Sequence, residues 1–122
     1  GLENHPEKTP TEVLAQIGDG ADGHIGTSPD TGWWGTQGYD AAKALHELKD
    51  HILTVHLKDI KAVGGHEPCR FGQGVVDIQA CVKTLKDIGY TGVLGIEHEP
   101  EHFDPNQDVQ ESLKLLQGWL KD

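Results

Sequence analysis

The sequence predicts an α/β chain of four parallel strand-helix units, half of a (β/α)8 barrel that a second half completes. Three observations lead there. Strand, loop and helix alternate four times along the chain with no hairpin signal between them, which is the pattern of parallel βα units. The chain has 122 residues, whereas a whole eight-unit barrel needs roughly 200 to 250. Four such strands left as an open sheet would expose two edges and one whole face.

Each element has a local cause. Gly1 to Asn4 reads as the end of a strand. Thr9-Pro10-Thr11-Glu12 then places a capping Thr, a Pro at the first helical position and a Glu at the third, and Val13, Leu14 and Ile17 follow at helical spacing until Gly18. Residues 24 to 27 form a weak strand leading to Ser28-Pro29-Asp30, after which a Gly-rich, Trp-containing stretch reads as a loop. Asp40 opens a helix in which Ala41, Ala44, Leu45 and Leu48 share a face. Ile52 to Leu57 is the clearest strand, apolar and β-branched, and runs into Lys58-Asp59. The stretch from about Ile60 to Val75 is a long loop, the kind that often carries function. Asp77 caps a helix lined by Ile78, Cys81, Val82, Leu85 and Ile88 and ended by Gly89. Val93 to Glu97 is the last strand, and the helix from about Gln107 to Leu120 is expected to bury Val109, Leu113, Leu116 and Leu120. The whole of 1–122 is thus expected to be a single (βα)4 domain, with a beginning that looks trimmed.

Composition excludes several classes. With 10 basic and 20 acidic residues the net charge is −10 and no Lys/Arg cluster stands out, the wrong electrostatic footprint for gripping nucleic acid. No window approaches the roughly 18 apolar residues of a membrane span. Cys69 and Cys81 lack a CxxC spacing and read as ordinary thiols of a reducing compartment, so the cytoplasm is the expected location.

Glu3, Asp30, His56 and Glu97 each lie at or near the C-terminal end of a different predicted strand, the end at which barrels collect catalytic groups. Taken singly, such an acid more often caps a helix or sits solvated on the rim. Together, three carboxylates and an imidazole suit a hard or borderline divalent cation, Mn2+ first, with Mg2+, Co2+ or Zn2+ as alternatives. Glu99 and Glu101 are further candidates for the last ligand, but Glu97 follows directly on the apolar run.

Leu2-Glu3-Asn4, Asp30-Thr31-Gly32, His56-Leu57-Lys58-Asp59, Gly72-Gln73-Gly74-Val75-Val76-Asp77 and Ile96-Glu97-His98-Glu99-Pro100 together resemble the second half of the xylose-isomerase-like TIM barrels, strands five to eight. That superfamily includes sugar phosphate isomerases and epimerases, ketose 3-epimerases and an apurinic-site endonuclease branch. The resemblance implies that Glu3, Asp30, His56 and Glu97 hold the metal, and that Glu3 and Glu97 are the analogues of the two catalytic glutamates of ketose 3-epimerases. It implies a metal-dependent sugar isomerase or epimerase, in which a carboxylate removes a proton next to a carbonyl and a cation stabilises the resulting charge. A 3-keto-glycoside lyase and a half-barrel that keeps fold and metal but not catalysis are the alternatives, and a metal-dependent phosphodiesterase is a third. The endonuclease branch has a His where this chain has Trp33, and an Asp-x-His pair absent between residues 59 and 75, which argues against DNA repair.

Around the ligands, Trp33 and Trp34 read either as an apolar platform for a sugar or as packing on the barrel rim. Lys58, two residues past His56, is placed to bind a phosphate or carboxylate. Arg70 matches an Arg that some family members aim at substrate or metal-site carboxylates. His66 reads as a proton donor or a solvated loop residue, and His5 and His98 as partners of the ligands or of the substrate. His24, His46 and His51 read as structural. The expected partners are a sugar and a second half-barrel, from another copy of the chain or from a separate N-terminal half.

Overall fold

The computed structural model describes residues 1–122, the side chain of Ala21 excepted. Ten elements follow one another: α1 (Pro10–Ile17), α2 (Gly20–Gly23), α3 (Thr31–Thr36), α4 (Ala41–Glu47), β1 (Val55–Leu57), β2 (Asp59–Ile60), β3 (Pro68–Cys69), α5 (Ile78–Asp87), β4 (Leu94–Ile96) and α6 (Asn106–Lys121). The four expected strand positions pair side by side and in parallel. Leu2 bridges Thr27, Thr27 bridges Ile52, Asp30 bridges His56, and β1 pairs with β4 in the register Val55 to Leu94, His56 to Gly95 and Leu57 to Ile96. Single hydrogen bonds knit the first rows, including Ser28 N–H to Leu2 O at 2.8 Å and His56 N–H to Pro29 O at 2.9 Å. The fold is α/β with parallel strands. All four segments therefore end on the same side.

The helix starts follow their sequence signals. Thr9, Asp40 and Asp77 each accept a backbone N–H in the first turn of α1, α4 and α5, offsetting the donors that a helix start leaves open. The apolar faces of these helices pack onto the outer side of the strands, where Val13, Leu45, Leu48, Val55, Leu57, Ile78, Cys81 and Val82 are fully or nearly fully buried. Both cysteines are free and buried, and burial pushes the Cys69 thiol up to about 12 and the Cys81 thiol higher still.

Three expectations need correction. The Trp-containing stretch is helical over Thr31–Thr36, because Asp30 caps it through the Trp33 N–H at 3.0 Å. The long loop after β1 holds an antiparallel pairing of β2 with β3, too short to leave an alternating pattern in the sequence. The loop is tied down by Asp59, whose buried carboxylate accepts the N–H groups of Gly72, Gly74 and Val76 at 3.0 to 3.1 Å. Burial raises the pKa of Asp59, partly offset by those donors. Gly74 makes this turn possible: a Cβ there would stand 2.1 Å from Ile60 O and 2.2 Å from Asp59 Oδ1.

The third correction concerns α6, which buries Ser112 and Leu116, while Leu113 and Leu120 remain exposed. Val93, just before β4, is 71 % exposed, and β4 is only half-buried along its length. Among the described residues, no helix is long and apolar enough to cross a membrane.

Candidate metal centre

Strand geometry alone brings the four candidate ligands together. Glu3, Asp30, His56 and Glu97 project from the C-terminal ends of the four neighbouring segments, and one donor atom from each lies within 4.8 Å of all the others. His56 Nδ1 stands at the centre, 3.0 Å from Glu3 Oε1 and 3.0 Å from Glu97 Oε2. Asp30 is fully buried, with its carboxylate divided between two tasks. Oδ1 caps α3, whereas Oδ2 is buried without a hydrogen-bond partner. Burial pushes the Asp30 carboxyl up to about 6; the Trp33 N–H and Lys58 pull it down, and the charges of Glu97 and Glu3 push it up. An unpartnered carboxylate oxygen among two further carboxylates and an imidazole fits a divalent cation, which would satisfy what the protein leaves unsatisfied.

Neighbouring side chains fix the ligands. Asn4, fully buried, holds the backbone of Asp30 from both sides, accepting its N–H at 2.9 Å and donating to its carbonyl at 3.1 Å. Its place beside Glu3 is the signal that the sequence offers, but its partner lies far off in the chain, so nothing local marks it as a positioning group. Lys58, with its side chain 8 % exposed, donates to Glu97 Oε1 at 3.0 Å and to Glu99 Oε1 at 3.1 Å. Burial works against the ammonium, but the two carboxylates outweigh it and raise its pKa, while Lys58 lowers that of Glu99. Gly32 gives Lys58 its path, since a Cβ there would come 2.6 Å from Lys58 Cγ.

The remaining candidates divide. Trp33 is half-buried between two imidazoles, stacked on His5 at 4.8 Å and tilted against His66 at 4.7 Å. His5 in turn approaches Glu3 Oε2 at 3.5 Å. Trp34 is fully buried in the core, so the expected two-tryptophan platform does not exist: on a helix, successive residues point to different sides. Arg70 does not reach the cluster. Its Nε and a terminal guanidinium nitrogen lie 3.0 Å from Asp108 Oδ1 in the first turn of α6. His98, its side chain 4 % exposed, sits 3.1 Å from the other oxygen of Asp108, so it too is taken up by α6. A cleft of about 560 Å3 opens beside Lys58, walled by Trp33, His66, Glu99, Glu101 and Phe103.

Comparison with known proteins places the fold. The family model described as xylose isomerase-like TIM barrel matches residues 1–121. The chain is 36 % identical over 94 residues to the L-ribulose-5-phosphate 3-epimerase UlaE of Escherichia coli, a match that takes in 76 % of this chain and 31 % of that protein. A crystal structure of a D-tagatose 3-epimerase-like protein superposes with a TM-score of 0.82 at 27 % identity, covering 99 % of this chain and 46 % of the other. A xylose isomerase domain protein from Planctomyces limnophilus superposes with a TM-score of 0.80 at 26 % identity, over 98 % of this chain and 44 % of that one. The chain spans less than half the length of each of these relatives.

Proposed function

The chain belongs to the xylose isomerase-like TIM barrel family, and on that premise we propose that it is the cation-binding half of a metal-dependent sugar epimerase or isomerase. The observation that carries this reading is the four-residue cluster with the buried, unpartnered Asp30 Oδ2 at its base. Glu3, Asp30, His56 and Glu97 would hold the cation, with Mn2+ the best match to three carboxylates and an imidazole. When bound, a divalent cation supplies electrostatic stabilisation of the negative charge that develops on a substrate oxygen.

The protein groups do the rest. Glu3 and Glu97 face each other across His56, from the first and last of the four strand segments. A ketose lying over the cluster would give its carbon-bound proton to one carboxylate and receive one on its opposite face from the other, which inverts the carbon. Lys58 holds Glu97 by Oε1 and keeps Oε2 directed at the cluster. Four further βα units are needed to close the barrel, from a second copy or from an N-terminal half. The acidic surface speaks against nucleic acid as a partner, and the two buried thiols suit the reducing cytoplasm.

The test is exchange in deuterated water. With the barrel complete and Mn2+ added, L-ribulose or D-tagatose should lose a carbon-bound hydrogen to solvent, and Glu97→Gln should stop the loss. Exchange that continues in the variant would place the base elsewhere. Cation binding without exchange in the unsubstituted protein would support the catalytically inactive half-barrel instead.

A further inference from the structure

The loops that follow β1 and β4 form the rim over the candidate site, and in barrels of this architecture such loops often take a substrate phosphate. Here their charges are already spent. The basic side chains of residues 58–77 are Lys58, Lys61 and Arg70, and the rim from Glu97 to Pro105 has none. Lys58 is held by Glu97 and Glu99, Lys61 lies 2.7 Å from Glu67, and Arg70 is engaged by Asp108. Beyond these pairs, Glu101 adds a further carboxylate to the wall of the cleft. His102 also lines it, 3.8 Å from Glu101, and His66 lies against Trp33; neither imidazole brings a permanent charge. The first turn of α6, where backbone N–H groups would favour an anion, carries Asp108 and has no side-chain cap. The rest of the cleft is aromatic and apolar, from Trp33, Pro68, Pro100 and Phe103.

We infer that the end of the substrate over these two loops is uncharged and hydroxyl-bearing, so that the site takes a free keto-sugar in preference to its phosphate ester. This rests on the reading of the cluster as an epimerase or isomerase centre and narrows its substrate class. A phosphate dianion would meet Glu67, Glu99 and Glu101 with every nearby cation engaged, whereas sugar hydroxyls donate readily to carboxylates and stack their C–H faces on aromatic rings. The identity to an L-ribulose-5-phosphate 3-epimerase therefore does not extend to the phosphate.

The experiment compares matched pairs in the complete, Mn2+-loaded protein: L-ribulose with L-ribulose 5-phosphate, and D-tagatose with D-tagatose 6-phosphate. Solvent deuterium incorporation should be at least about tenfold more efficient, as kcat/KM, for the free sugar of a pair, given the cost of bringing like charges together. Glu101→Lys, an exposed substitution outside the cluster, should narrow that ratio by raising the efficiency of the ester relative to that of the free sugar. Equal or reversed preference, or a ratio that Glu101→Lys leaves unchanged, overturns the inference while the epimerase reading stands. Exchange with no sugar of either pair overturns that reading and the inference with it.

Discussion

At the scale of single residues, Asp30 shows how a ligand position is maintained at the expense of the metal-free fold. Its folded carboxyl is pushed from 3.8 up to about 6, so between those values the folded protein keeps a proton that the unfolded chain has released. The contribution of Asp30 to stability therefore falls as pH rises through that window and the loss is complete above it, a difference of about 3 kcal/mol. In chelator, urea unfolding of Asp30→Asn, which keeps an oxygen for the α3 cap, should lack this fall; an equal fall in the variant would locate its source elsewhere. Added Mn2+ should raise the stability of the unsubstituted protein near pH 7. His56→Ala should abolish Mn2+ binding by calorimetry while His46→Ala leaves it unchanged, and equal affinities in the two would remove the proposed centre. The four acid and imidazole positions were legible because each lies at or near the C-terminal end of a different predicted strand, Glu97 directly after an apolar run. Asn4 and the true partners of Arg70 and His98 were not, since their hydrogen bonds join elements that only the folded chain brings together.

Among the elements, the loop between β1 and α5 gathers three of its backbone N–H groups on one carboxylate, that of Asp59. Asp59→Asn replaces one accepting oxygen with a donor and leaves either the buried N–H of Val76 or the partly buried N–H groups of Gly72 and Gly74 unmatched. It should cost about 2 kcal/mol in chemical denaturation. Gly74→Ala should cost at least as much, because its methyl group would overlap Ile60 O. A stability unchanged in both variants would mean that the loop is held by other contacts. Helices α1, α4 and α5 were readable because cap, periodic apolar face and terminator agree within a few residues. Helix α3 was not, since Gly32, Gly35 and adjacent tryptophans carry no amphipathic period; it forms where Asp30 caps it and where its glycines let Lys58 and Val76 come close. The apolar spacing of α6 was visible, but which of its leucines lie against this chain depends on neighbours beyond the sequence window.

For the molecule as a whole, the parallel order and the common direction of the four segments follow from the alternation of strands and helices, so the architecture was the most legible feature of all. What the sequence could not show is which apolar side chains are left uncovered. Val93, Leu113 and Leu120 are exposed apolar side chains at the β4 and α6 end of the chain, where a further βα unit of a closed barrel would pack. Sedimentation should find the chain associated with a second set of four units, and Val93→Lys with Leu120→Lys should weaken that association by about tenfold or more. A stable monomer indifferent to both substitutions would defeat the proposal. The cluster, by contrast, draws every one of its donors from this half alone. The rim carboxylates that face a substrate phosphate lie in this half as well, so chimeras joining these residues to N-terminal halves of different relatives should inherit both the same metal affinity and the same discrimination against the ester. Recombination at that seam could diversify one chemistry without having to rebuild it.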